Sequence, residues 1–266
     1  MSITTINDIV SGLAVGQTQW ASKSILAPKA VGSFQSSWLA AGYPGIGNAP
    51  VVYTNGSGYT SDNTTAGSMQ YANGVTQNWL AKWFASSTQA GTLFLCDRLW
   101  SCSGMGFASG TYTVTTPGSL PARITDNGVG CQLWVEQYAA VGAASGTLVA
   151  NYLNPSGGAE SGTIPAVVSS PLQGQMQQVP LAVGATGIKQ LTSIVTNQTW
   201  TAGTFGMTIL KPIAAIPLLV AGVGYVLDWA SVGLPQIPPN ACLMWIFQGA
   251  TVNANQIVSK TEIIDK

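Results

Sequence analysis

The sequence predicts a mainly β protein: a jelly-roll-like antiparallel β-sandwich preceded by an extended N-terminal arm with one or two helices. Three observations lead there. From Gly91 onward, short apolar runs alternate with Gly/Pro turn signals. The 266 residues include 31 Gly and 14 Pro, which punctuate a chain that is 46% hydrophobic. The first ninety residues lack that rhythm and carry helical spacing in two places. Many short strands with Gly/Pro turns pack as a sandwich or barrel, and a jelly roll arranges about eight of them in two sheets. The expected division is 1–90 for the arm and helix, 91–250 for the β-sandwich and 251–266 for a polar C-terminal tail.

In chain order, Thr4-Thr5 supplies cap-type residues, and Ile6, Ile9, Val10 and Leu13 follow at helical spacing. Residues 23–59 are irregular and rich in Gly, Ser, Pro and Ala, yet too apolar for a floppy linker. They read as an arm laid over a partner surface. Met69, Ala72, Val75, Thr76, Trp79, Leu80, Trp83 and Phe84 recur at three and four, which predicts a second helix over Ser68–Ser86. Strands are expected at Thr92–Trp100, Thr111–Thr116 (stopped by Pro117-Gly118), Gly130–Val141, Gly146–Asn154, Thr163–Val168, Gln175–Val183, Ile188–Thr196, Gly206–Pro212 and Ala241–Gln248. Gly130–Val141 and Gly146–Asn154 are expected to form a hairpin across Gly142–Ser145, and Asn154–Gly158 to form a turn. The most apolar stretch, Pro212–Leu227, is broken by Pro217, Gly222 and Gly224. It reads as buried strands with a bend rather than a spanning helix of about 20 residues.

Nine Lys+Arg balance nine Asp+Glu for a net charge of +0, and only 7% of residues are charged. That argues against nucleic-acid binding, which needs clustered Lys or Arg. The absence of His excludes every mechanism that uses it. So apolar a chain is expected to bury surface against copies of itself or neighbours. Cys96, Cys102, Cys131 and Cys242 form no CxxC pair, and read as free thiols packed as small hydrophobes in a reducing cytosol. The N-terminus has neither the basic nor the apolar region of a secretory signal.

The carboxylates of the β region are Asp97, Asp126, Glu136, Glu160 and Asp228. Their scatter gives no glycosidase spacing. Asp97-Arg98 reads as a local pair or a buried structural ion pair, and Asp126-Asn127-Gly128 as a turn. Serine and cysteine nucleophiles lack a His base. Gly42–Gly47 is not followed by the Lys-Ser/Thr of a phosphate loop, and Asp62–Thr65 is too poor in acids for calcium. Nine Trp and eight Tyr are scattered evenly, as core and interface packing requires. Asn55-Gly56-Ser57, Asn63-Thr64-Thr65 and Asn197-Gln198-Thr199 match the glycosylation pattern without a secretion signal to give it meaning.

A longer pattern begins at Trp38: Trp-x4-Tyr-Pro-x5-Pro over Trp38–Pro50, then Leu93-x-Leu-x-Asp-Arg-Leu99, Leu120-Pro-Ala-Arg123, Tyr138-Ala-Ala-Val-Gly142 and Ala150-Asn-Tyr-Leu-Asn154. Ile164-Pro-Ala-Val-Val168, Val179-Pro-Leu181, Thr201–Thr208 and Lys211-Pro-Ile-Ala214 complete it. Across about Trp38–Pro217 this resembles a family of virion structural proteins of tailed bacteriophages. The resemblance implies a particle component of the head surface or portal–neck region, built on jelly-roll or sandwich modules.

The resulting expectation is a non-enzymatic structural protein, a capsid decoration or head/neck protein. It would be made in the host cytoplasm, located in the virion and free of cofactors, nucleic acid and membrane. Its partners would be itself, as a homo-oligomer with a trimer among the candidates, and virion proteins such as the major capsid or neck proteins. Ile6, Ile9, Leu13, Trp20, Phe34, Trp38 and Tyr43 are expected to make the arm's assembly contacts, with Trp79 and Trp83 locking its helix to the sandwich. A chain lacking residues 1–50 would then stay folded but fail to assemble. The alternative is a receptor- or glycan-binding virion module; an acid-driven enzyme would need two carboxylates facing one cleft.

Overall fold

The structure, a computed structural model, describes residues 3, 5–26, 30–48, 58–73, 77–106, 109–114, 120–139, 146–165, 173–197 and 203–265. The elements are α1 (Ile6–Val15), β1 (Gln17–Ile25), β2 (Phe34–Ser36), β3 (Ala41–Tyr43), β4 (Tyr59–Thr60), β5 (Asn78–Ser87), β6 (Gly91–Gly106), β7 (Gly110–Thr113) and β8 (Gln132–Gln137). They continue with β9 (Leu148–Leu153), β10 (Ala159–Ile164), β11 (Gln175–Gln178), β12 (Gln190–Thr196), β13 (Thr204–Leu218), β14 (Gly224–Asp228), α2 (Trp229–Val232), β15 (Gln236–Ile237), β16 (Leu243–Gly249) and β17 (Asn255–Asp265). The protein is mainly β, with antiparallel sheets packed as sandwich layers around a barrel.

The middle sheet closes on itself. Its strands run β13-β8-β11-β2-β16-β6, and β6 pairs back onto β13. Six strands enclose less space than the eight that just admit side chains plus a small ligand, so much of this interior is filled. Cys96, Trp134, Met176, Leu210, Met244 and Ile246 form the cluster there, with Trp38. A six-stranded sheet, β14-β5-β17-β1-β3 with β15 on β5, lies on one outer wall. Its Leu80, Trp83, Ala85, Ile257 and Ile263 pack against Leu93, Leu95, Trp245, Phe247, Ile216 and Leu218 of the barrel. A four-stranded sheet, β10-β9-β12-β7, covers another wall. There Leu148, Ala150, Tyr152, Leu191 and Ile194 meet Leu133, Val135, Phe205, Met207 and Ile209.

The paired β6 and β13 serve both outer sheets. Leu93 and Leu95 face the six-stranded sheet, whereas Trp100, Cys102 and Met105 face the four-stranded one. Three register irregularities along the β6–β13 ladder, one of them at Gly206, bend the pair between the two cores. A Cβ at Gly206 would lie 2.1 Å from the Cys102 carbonyl oxygen and 2.5 Å from the Tyr138 ring. Only glycine permits that approach.

Several expectations are corrected. Ser68–Ser86 is not a helix: its described end is the strand β5. Lys82 opposes Glu262 and Leu80 opposes Ile263, so Ala81 is an extra residue in the ladder. This bulge turns Leu80 and Trp83 to the same core, which gives a strand the i, i+3 spacing of a helix. The polar tail over 251–266 is the strand β17, buried at every second position from Asn255 to Ile263. Polar side chains at its outward positions disguised it.

The free arm is also corrected. β1 pairs with β17 along nine residues and with β3 on its other edge, so this stretch is an internal strand of the six-stranded sheet. The hairpin of β8 with β9 does not form. β8 is buried on both faces and belongs to the barrel, while β9 turns at Asn154–Gly158 to pair with β10. The turns expected at Pro117-Gly118 and Gly142–Ser145, the ends of strands expected beyond Val114, Ala139 and Pro165, Asn55–Ser57, and Gln198-Thr199 lie outside the described residues.

α1 follows the expected pattern. Thr5 Oγ1 accepts from the Asp8 N–H at 3.2 Å, and Asp8 accepts from the Thr5 N–H at 3.0 Å, a reciprocal N-terminal cap. The helix lies on β17 through Ile9 and Gly12. Pro212–Leu227 is the end of β13 and most of β14, and no helix among the described residues is long and apolar enough to cross a membrane.

Candidate functional site

The residues expected to make assembly contacts separate into two groups. Ile9, Trp38 and Trp83 are buried within this chain, so their apolar surface is already covered. Phe34 lines the barrel interior, its ring 5.0 Å from that of Trp134. Trp79 sits on a strand, half-buried against Ile9, Ala81 and Ile264, rather than on a helix. Ile6, Leu13, Trp20 and Tyr43 are exposed.

These exposed residues frame the uncovered face of the six-stranded sheet. The strand register sets Val226, Phe84, Lys260 and Trp20 in one row across β14, β5, β17 and β1. Asp228, Lys82, Glu262 and Thr18 form the next row. Trp20 is 53% exposed and Tyr43 68%. Lys260 Nζ reaches Glu262 at 2.5 Å and lies 5.9 Å from the Trp20 ring centroid. Beside this face α1 shows Ile6, 63% exposed, and Val10, 60% exposed, one turn apart. An exposed apolar set of this kind marks interaction surfaces. Two acids and two bases in the rows leave it without net charge.

The barrel interior has two chemically distinct ends. At one end Arg98 Nη2 donates to Glu136 Oε2 at 2.7 Å and to the Tyr138 hydroxyl at 2.9 Å, and both side chains of the ion pair are fully buried. Tyr138 and Thr208 also donate to Glu136 Oε2, at 2.9 and 3.2 Å. The guanidinium carbon lies 4.5 Å from the centre of the Trp38 ring. Burial alone would raise the Glu136 carboxyl, but the Arg98 charge and the hydrogen bonds outweigh it and hold the group below its ordinary value. Burial and the neighbouring Glu136 charge push the Tyr138 phenol well up, so it stays a donor.

At the other end the barrel is incomplete. β8 starts at Gln132, opposite Leu210, while β13 runs on to Leu218. A pocket of about 510 Å³ opens in that seam, lined by Phe34, Phe94, Cys96, Trp134, Ile246 and the β13 stretch Pro212–Ala215, with Gln132 and Gln178.

Each remaining carboxylate of the β region serves a local structural contact. Asp97 does not pair with Arg98. It takes a two-pronged bond from Arg123 at 2.9 Å and accepts from the Cys242 N–H. Burial pushes its carboxyl up, and Arg123 opposes the shift. Asp126 meets Lys211 at 2.5 Å, and Glu160 accepts from Tyr152 and Asn154. Asp228 caps α2. The sequence raised Asp97-Arg98 as a possible pair; the finding is two separate buried ion pairs with partners 26 and 38 residues away. A charged dipeptide inside an apolar run was their only local signal.

Lys23 is buried with no carboxylate partner among the described residues. Its Nζ donates to the Ala40 and Gly45 carbonyls at 3.1 and 2.9 Å, bracing the chain on both sides of β3, and burial lowers it to about 8. All four cysteines are buried thiols, and burial pushes Cys102, Cys131 and Cys242 up to about 12, where they are unreactive. Among the described residues, no three His, Cys, Asp or Glu side chains cluster as metal ligands.

No family model matches the chain, and neither does any curated protein. Among solved structures, it is similar to that of the infectious bursal disease virus Gx strain, at 10% identity over 93% of this chain and 80% of that one, with a TM-score of 0.21. A second is the infectious bursal disease virus VP2 subviral particle, at 9% identity over 98% of this chain and 86% of that one, also with a TM-score of 0.21. At such scores the likeness carries no argument about fold or function.

Proposed function

We propose that this chain is a non-enzymatic structural component of a bacteriophage particle, a capsid decoration or head/neck protein that assembles with copies of itself. One observation carries the reading: the uncovered face of the six-stranded sheet, where Trp20, Phe84 and Val226 share a row beside the exposed Ile6 and Val10 of α1. The favoured occupant is a second copy of the same chain. The face carries balanced charge and the whole chain has a net charge of +0, so two copies meet without the self-repulsion that keeps charged proteins apart. Obligate interfaces are more apolar than ordinary surface, and the motifs from Trp38 to Pro217 resemble virion proteins. Sedimentation of the full chain tests it. The expected result is a concentration-dependent oligomer that Trp20→Ser with Val226→Ser converts to monomer; a wild-type monomer at every concentration overturns it.

A second reading, a glycan-binding virion module, is favoured by Trp20 and Tyr43 lining one depression of about 220 Å³. Aromatic faces stack on the apolar faces of sugars. Binding on a glycan array that Trp20→Ser abolishes, from a chain that is monomeric, would select this reading.

A further inference from the structure

We propose that the seam pocket of the barrel is a binding site for one small, uncharged, mainly hydrocarbon molecule carrying an aromatic ring. The walls are three aromatic rings, Phe34, Phe94 and Trp134, with Ile246, Cys96 and the aliphatic stretch Pro212–Ala215. Their mutual placement is fixed. Phe34 packs edge-on against Trp134 with centroids 5.0 Å apart and tilts against Phe94 at 6.1 Å. Trp134 and Ile246 are almost fully buried, held from behind by the barrel cluster. The site is therefore preformed, and little order must be imposed when it fills.

Its chemistry selects the ligand class. None of the described lining residues carries a charge, so an ionised ligand would lose its hydration without gaining a partner. Water needs two to four polar partners to be held well, and these walls offer few, so an apolar occupant displaces it favourably. Gln132 accepts from Trp134 Nε1 at 3.2 Å through its amide oxygen, which leaves the amide N–H end to meet one carbonyl, ether or hydroxyl oxygen of the ligand. Gln178 offers a second amide at the rim. The volume of about 510 Å³ lies within the range of small-molecule sites. Since an apolar cavity of about 150 Å³ holds benzene, roughly three fused or linked rings fit.

The open edge of β13 beside the pocket suggests a rival, an added peptide strand. Pro212 and Pro217 argue against it. Each removes a backbone N–H from this stretch, and proline in a strand edge is a standard protection against pairing. The side chains, not the backbone, are equipped to bind here.

The test uses N-phenyl-1-naphthylamine, a neutral two-ring-system probe whose emission rises in apolar surroundings, titrated into the full chain. The expected result is saturation at one probe per chain, weakened at least tenfold by Ala215→Trp, at the exposed β13 position in register with the pocket residue Phe94, and unchanged by Trp20→Ser on the face of the six-stranded sheet. Failure to saturate overturns the proposal, as does loss of binding in Trp20→Ser with retention in Ala215→Trp. If Ala215→Trp does not fold, the unmodified chain still decides. Nuclear Overhauser contacts from the naphthyl protons must fall on Phe34, Trp134 and Ile246, and contacts confined to other residues refute the site. The Trp20→Ser arm keeps this outcome separate from that of the assembly reading.

Discussion

The two ends of the barrel interior are built from the same six strands, yet they solve opposite problems. At one end β8 and β13 remain paired, and the space between the walls is filled by Arg98, Glu136, Tyr138 and Thr208, whose hydrogen bonds converge on Glu136 Oε2. At the other, β13 outruns β8 and the walls stay apolar around an opening. The difference in strand length goes with a difference in lining. Where a barrel closes, the interior must be dry, and a charge there needs a matched partner. Where it gapes, water or a ligand completes the packing and no charge is called for.

The largest effect is expected at the closed end. Glu136→Ala leaves the Arg98 charge buried and unpaired and should destabilise by about 3–5 kcal/mol in urea denaturation. Replacing both partners, as Arg98→Met with Glu136→Leu, should recover more than half of that loss, because well-packed apolar pairs substitute for buried ion pairs. A double variant as unstable as the single one would show that the pair does more than avoid its own desolvation cost.

Acid probes the same end. The Glu136 carboxyl is held below its unfolded value, so the stabilisation is present at neutral pH, above the unfolded pKa. It is lost as pH falls through the lower folded value. The melting temperature should therefore drop on the acid side in the wild type and drop less steeply in the double variant. Gly206→Ala comes next. Its methyl group would press on the Cys102 carbonyl and the Tyr138 ring, for a cost of about 1–3 kcal/mol measured by thermal unfolding. At the open end Ile246→Val should cost about 0.5–1.5 kcal/mol, and Gln178→Ala at the rim should stay within about 0.5 kcal/mol of wild type. A large loss from either would mean that the opening is load-sharing core and not a site.

Removing residues 1–50 is now expected to unfold the chain rather than to spare it, since it strips β1 and β3 from one end of the six-stranded sheet and takes β2 and Trp38 out of the barrel.

What could be read in advance was local. The cap at Thr5 and the turn at Asn154–Gly158 rest on neighbours a few residues away; α1 followed from the first, whereas the strand that β9 meets beyond the second, β10, was not the expected partner. Ring closure was not readable, because β2 joins β11 and β16 across well over a hundred residues and no short-range pattern records that. β5 was hidden by the extra residue Ala81, which imitates a helical period, and β17 by the polarity of Lys260 and Glu262 on its outer side. The exposed part of the proposed assembly face, Ile6, Leu13, Trp20 and Tyr43, was singled out as apolar. The pocket was not foreseen, since it exists only because one strand begins opposite the middle of another.

The shared β6–β13 ladder has one more consequence. Because those two strands supply a wall to both outer layers, neither layer can melt and leave the other intact. Calorimetry should record a single endotherm whose van't Hoff and calorimetric enthalpies agree, and amide protons along both strands should exchange only through global opening.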